Sequence, residues 1–127
     1  MALKVELKPN EKIILGNSVI TNGPNRAKFY INGTAVILRE KDILTAESAD
    51  TPCKRIYFLI QMFYLSEEEN HDHDEYFTQV NTILKAAPST LIFFDAINYQ
   101  MLTNNYYKAL REAKKLIDYE KELLDNV

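Results

Sequence analysis

Apolar positions change period partway along this chain. Leu3, Val5 and Leu7 alternate with Lys4, Glu6 and Lys8, the two-residue period of a half-buried strand, until Pro9-Asn10 interrupts it. Ile13–Leu15 and Val19–Thr21 are short β-branched segments around Gly16-Asn17, and Asn22-Gly23-Pro24-Asn25 is dense in turn formers. Asn32-Gly33, between Phe29-Tyr30-Ile31 and Thr34–Leu38, predicts a two-residue hairpin turn because Asn-Gly readily adopts positive φ. Five short strands are therefore expected by about residue 40.

Asp50-Thr51-Pro52 opens a helical regime. Thr51 can accept a hydrogen bond from an early helix amide, and Pro52 suits the first helical position because it lacks a donor. Ile56, Leu59, Ile60 and Phe63 continue at helical spacing up to the polar run Ser66–Asp74. A second helix is predicted over 74–87, with Tyr76, Phe77, Val80, Ile83 and Leu84 on one face and Pro88 as its stop. Ser89 is placed to cap a third, beginning Leu91-Ile92-Phe93-Phe94, which Thr103-Asn104-Asn105 bends or divides. Beyond the break Tyr106, Leu110, Ala113, Ile117 and Leu124 form one broad stripe. The expected fold is α+β: a small antiparallel β subdomain over 1–48, then a helical hairpin or bundle over 49–127. About 50 β-type residues bury little core alone, so the strands are expected to pack on the helices or pair with a second chain.

Composition narrows the class. At 127 residues and 46% apolar content the chain suits a soluble globule, and no run approaches the ~18 apolar residues of a membrane span. No signal-peptide core opens it, and a lone cysteine cannot form an internal disulfide, so a cytoplasmic location is expected. The net charge of −3 hides an asymmetry: through Arg55 nine cations face six carboxylates, +3, and from Ile56 onward six face twelve, −6. A basic N-terminal face can thus coexist with an acidic remainder.

Leu38-Arg39-Glu40-Lys41-Asp42-Ile43 sets charges at a strand end between apolar anchors, an arrangement that holds cations in place for a phosphate-bearing ligand. Arg39 offers a planar fork of donors, whereas Lys8 and Lys41 act as point charges. Arg26, Lys28 and Tyr30 alternate onto one strand face, two cations and a ring on which a base can stack. Lys4 belongs to the same basic set, and Lys54 with Arg55 can extend it from the helix start. Other chemistry is sparse. His71-Asp72-His73-Asp74 has metal-ligand residue types but no distant partner, and reads as a solvated acidic helix entrance. Cys53 lies beside Lys54 and Arg55, which could lower its thiol pKa, but lacks a base and reads as a packing residue. Glu67-Glu68-Glu69 reads as a solvated charge run, and the three glycines as turns. With no catalytic constellation, an enzyme, a metal and a cofactor are not expected.

The opening stretch 1–17, with Ile37–Leu44, Ala49–Tyr57, Tyr107-Lys108-Ala109-Leu110 and Leu116–Glu120, resembles the FlbT family of flagellin-synthesis regulators along essentially the whole chain. The resemblance implies post-transcriptional control: binding the 5′ untranslated leader of flagellin mRNA and promoting its decay or blocking its translation, with activation by some family members. The N-terminal third is also similar to the CsrA family of RNA-binding translational regulators, in Glu11–Gly16, Asn25–Ile31 and Leu38–Ile43. That similarity implies an intertwined dimer of five-stranded chains, with RNA along the first strand of one chain and the last strand of the other. By matching position Arg39 corresponds to its key last-strand arginine and Lys8 to a basic residue ending the first strand; Leu7 departs, standing where that family has another arginine. The expected partners are a flagellin mRNA leader, a companion flagellar regulatory protein and a second copy, with no membrane. The alternative is a protein-binding adaptor or chaperone holding flagellin or a companion factor on its aromatic-rich helices.

Overall fold

The computed structural model describes residues 2–68 and 70–126 and has the expected α+β composition: five strands followed by four helices. It divides into a β unit, Met1–Ile43, and a helical unit, Leu44–Val127. The division falls before residue 48 because Leu44 is already tied to the helices. Gln61 accepts from its N–H and donates to its carbonyl, both at 2.8 Å.

In the β unit, β1 (Leu3–Leu7) pairs antiparallel with β4 (Ala27–Ile31), while β2 (Lys12–Leu15) lies between β3 (Ser18–Thr21) and β5 (Ile37–Arg39). The inner faces bury Val5, Leu7 and Ile13, with Phe29, Ile31 and Ile37 packed against them. Alternation explains the selection, since Leu3, Val5 and Leu7 face Ile31, Phe29 and Ala27 in register. The departure at Leu7 therefore places an apolar side chain in the core.

The hairpin predicted at Asn32-Gly33 does not form. Its flanking strands join different sheets, β4 with β1 and β5 with β2, so this segment carries the chain from one sheet to the other. The two-residue hairpin is at Gly16-Asn17, where Leu15 faces Ser18 and Gly16 supplies φ +63°. Asn10, at φ 64°, turns the chain after β1. The Asn22 side-chain amide then donates to the carbonyls of Lys8 and Asn25, at 2.8 and 2.9 Å, knitting the neighbouring turns together.

The helical unit comprises α1 (Pro52–Leu65), α2 (Asp74–Ala86), α3 (Leu91–Leu102) and α4 (Tyr106–Asp125). Thr51 caps α1 as expected, its hydroxyl accepting from the Lys54 N–H at 3.2 Å. Ser89 does not cap α3. It sits in a 3-10 turn, Pro88–Thr90, and its hydroxyl accepts from Tyr119 at 2.6 Å. The buried face of α4 is Ala109, Leu110, Ala113 and Leu116; Leu124 is exposed and Ile117 half-buried, so the expected stripe is rotated. Small alanines at two of those positions let α4 pack closely against both α1 and α3. Among the described residues, no helix is long and apolar enough to cross a membrane.

Candidate nucleic-acid interface

The outer face of the β1–β4 ribbon carries the basic residues. Opposite the core-facing positions, Lys4 faces Tyr30 and Glu6 faces Lys28 across the ladder, with Arg26 continuing the alternation just before β4. Tyr30 is 60% exposed, its ring open to stacking. Lys4 pairs with Glu6 at 3.5 Å, an exposed contact that contributes little. Among the described residues the side chains of Lys8, Arg26, Lys28 and Lys41 take part in no ion pair, so their charge remains for a ligand. A cleft of about 280 Å³ opens at the end of the ribbon where Leu7 meets Ala27, lined by those two residues with Glu6, Arg26 and Lys28.

Arg39 is held differently from the way its place in the sequence suggests. Its Nη2 donates to the Glu6 carbonyl at 2.7 Å and lies 3.7 Å from Glu11 Oε2, and its buried Nε has no hydrogen-bond partner among the described residues. The side chain is still 40% exposed. Arg39 thus ties the end of β5 to β1 while keeping part of its guanidinium at the surface. Glu11 is the organiser that sequence reasoning missed: Oε1 accepts from the Lys8 N–H at 2.8 Å while Oε2 faces Arg39. One carboxylate gathers the end of the first strand and the end of the last. The only advance signal was an acid three residues after Lys8, which does not reveal a partner 28 positions further on.

Lys41 is exposed on the 3-10 turn Glu40–Asp42, flanked by those two acids. Lys54 and Arg55 belong to the helical unit, where Lys54 is drawn to Asp50 at 3.3 Å and Arg55 borders a separate cleft beside Phe58 and Glu75. The ribbon therefore gathers Lys4, Arg26, Lys28 and Tyr30, Glu11 draws Lys8 and Arg39 together, and Lys54 and Arg55 are carried by the other unit.

The remaining candidate chemistry proves structural. Asp72 and Asp74 are exposed at the acidic entrance to α2, as expected, but His71 and His73 are half-buried. Phe63 packs at 5.2 and 4.9 Å from their rings, and Tyr106 bonds His73 Nε2 at 3.1 Å. Burial, reinforced by the charge of His71 and opposed by Asp72, holds the His73 pKa below its ordinary value. Cys53 is buried, and burial followed by the Glu120 carboxylate pushes its thiol pKa far up, opposite to what Lys54 and Arg55 suggested. Glu69, in the predicted charge run, lies outside the described residues.

Comparison with known proteins adds an independent line. The family described as "Flagellar protein FlbT" matches residues 3–124. The chain is 51% identical over 124 residues to the "Probable flagellum biosynthesis repressor protein FlbT 1" of Bradyrhizobium diazoefficiens, covering 97% of this chain and 85% of that protein. It is 50% identical over 124 residues to a protein of Rhodopseudomonas palustris named "Probable flagellum biosynthesis repressor protein FlbT", covering 98% of each. Against the "Flagellum biosynthesis repressor protein FlbT" of Caulobacter vibrioides it is 37% identical over 130 residues, covering all of this chain and 92% of the other. No solved structure matches it.

Proposed function

The chain belongs to the flagellar protein FlbT family, and from that premise we propose that it regulates flagellar synthesis by binding the 5′ leader of flagellin mRNA. The names of its relatives support the regulatory role. The observation that carries the RNA reading is the β1–β4 face, where, among the described residues, Lys28 and Arg26 take part in no ion pair and stand beside an exposed Tyr30. Phosphates meet the ammonium and guanidinium groups, an unpaired base stacks on the ring, and the exposed part of Arg39 supplies a donor fork. The site suits single-stranded leader segments, whose base faces are open. Occupancy would block ribosome loading or expose the transcript to a nuclease.

Salt-titrated binding of leader and scrambled RNA to the purified protein tests this. Lys28→Ala should lower the magnitude of the log K against log salt slope by roughly 0.7, the value for one phosphate contact on a single strand. Tyr30→Ala should cost about 1–3 kcal/mol with little change in slope. Equal affinity for both RNAs, or unchanged binding by folded Lys28→Ala and Tyr30→Ala proteins, would refute the assignment. Arg39→Ala is a poorer probe, because it also releases the Glu6 carbonyl and Glu11.

One feature favours the adaptor reading as the second choice: an apolar cavity of about 400 Å³ in the helical unit, walled by Pro52, Ile83, Ala86, Leu123 and Leu124. Co-purification of flagellin or a companion flagellar factor that survives Lys28→Ala but not Ala86→Trp would support it.

A further inference from the structure

α3 reads LIFFDAINYQML, apolar around nearly its whole circumference, with Asp95 its one charged residue. Such a helix belongs in an interior. One side does lie in the core, through Phe94, Ile97 and Met101. Opposite it Ile92, Tyr99 and Leu102 are 72, 66 and 75% exposed, with Asp95 exposed between them. These four positions follow the i, i+3, i+7, i+10 spacing of a two-helix seam.

We propose that this stripe is the interface between two copies of the chain, with their α3 helices antiparallel about a two-fold axis at position 97. The spacing is palindromic about that position. Ile92 meets Leu102 of the second copy, and Asp95 meets its Tyr99, a phenol donor opposite a carboxylate acceptor; the two-fold repeats both contacts. Parallel pairing would instead stack Asp95 on Asp95, like charges in a desolvated seam. A helix rich in acids would meet the same repulsion, and one rich in lysine would leave the apolar positions uncovered. The three exposed apolar side chains, with neighbouring Leu91, offer on the order of 500 Å² a side, near the ~1,000 Å² total that a specific interface needs. Self-complementarity of this kind is what an isologous contact requires.

Sedimentation equilibrium of the full chain should show a mass rising toward twice 14.7 kDa with concentration. Leu102→Glu and Ile92→Glu, both at exposed positions, should return it to 14.7 kDa while the circular dichroism spectrum is unchanged; Leu124→Glu, exposed but off the seam, should leave the dimer intact. Direction is read by mixing Ile92→Cys protein with Leu102→Cys protein under mild oxidation, where antiparallel pairing yields the mixed disulfide. A monomer up to about 100 μM, where even a tens-of-micromolar complex would populate, would overturn the proposal. So would a dimer that persists in Leu102→Glu, or disulfides joining only like variants.

Discussion

The two units divide labour through the size of their cores. The β unit is close to the ~40-residue limit below which a chain rarely folds without extra support, and among its described residues the buried apolar side chains are only Val5, Leu7, Ile13 and Leu38. The helical unit is about twice as long and buries large groups outright, among them Ile56, Ile60, Tyr76, Phe94 and Ile97. Its buried polar groups are paired as well: Tyr76 donates to Asn98 at 2.7 Å, and Gln61 closes on Leu44. The strands turn cations and a ring outward, while the helices supply most of the buried apolar surface. Substitutions should therefore separate folding from binding.

The sharpest break is Phe94→Ala. Its side chain is fully buried, and removing it should cost about 3–5 kcal/mol, read as a large fall in thermal midpoint. Next is Glu120→Ala, because this carboxylate on α4 accepts from the Thr51 hydroxyl at 2.5 Å and the Cys53 N–H at 3.0 Å in the first turn of α1. Losing it should cost about 1–3 kcal/mol in denaturant titration and bring the Cys53 thiol pKa part of the way down, seen as faster thiol labelling. The double change Arg26→Ala and Lys28→Ala works in the opposite direction. It should alter folding by less than about 0.5 kcal/mol yet reduce the salt slope of RNA binding by roughly 1.4, two contacts' worth. A matching loss of stability would erase the division.

The smallest effect concerns pH. The folded pKa of His73 lies below its ordinary value, so the unfolded chain binds a proton more readily there. Its contribution to stability is complete above the ordinary histidine pKa of about 6.5 and declines as pH falls through and below that value. Melting at pH 7.5 and 5.5 should show a modest loss at the lower pH that shrinks in His73→Phe. An unchanged difference would place the acid sensitivity elsewhere.

Local chemistry was legible wherever its partner was near in the chain. Thr51-Pro52 marks the start of α1 because a cap acts over three residues, and the alternation marks Val5 and Leu7 as the buried side of β1 because pleating has period two, although Leu3 at the strand's start is exposed. The Arg26-Lys28-Tyr30 face was visible for the same reason. Asn32-Gly33 misled because the turn propensity of two residues says nothing about which strands their neighbours will join. The histidine loop was half legible: its acids are exposed at the start of α2, but its polar sequence gave no notice that the two rings pack on Phe63 at the end of α1 and on Tyr106, 33 residues beyond His73.

Read alone, the amino-acid order determined an α+β chain with a basic strand face, an acidic helical remainder and a family resemblance spread over its length. Only tertiary structure decided that β1 takes β4 as partner, that Glu11 draws Lys8 and Arg39 together, that Glu120 closes on the start of α1, and that one side of α3 faces solvent. The reason is physical. Period and capping are short-range properties of the backbone, whereas strand pairing, long-range ion pairs and the choice of buried helix face depend on which distant surfaces meet when the core closes.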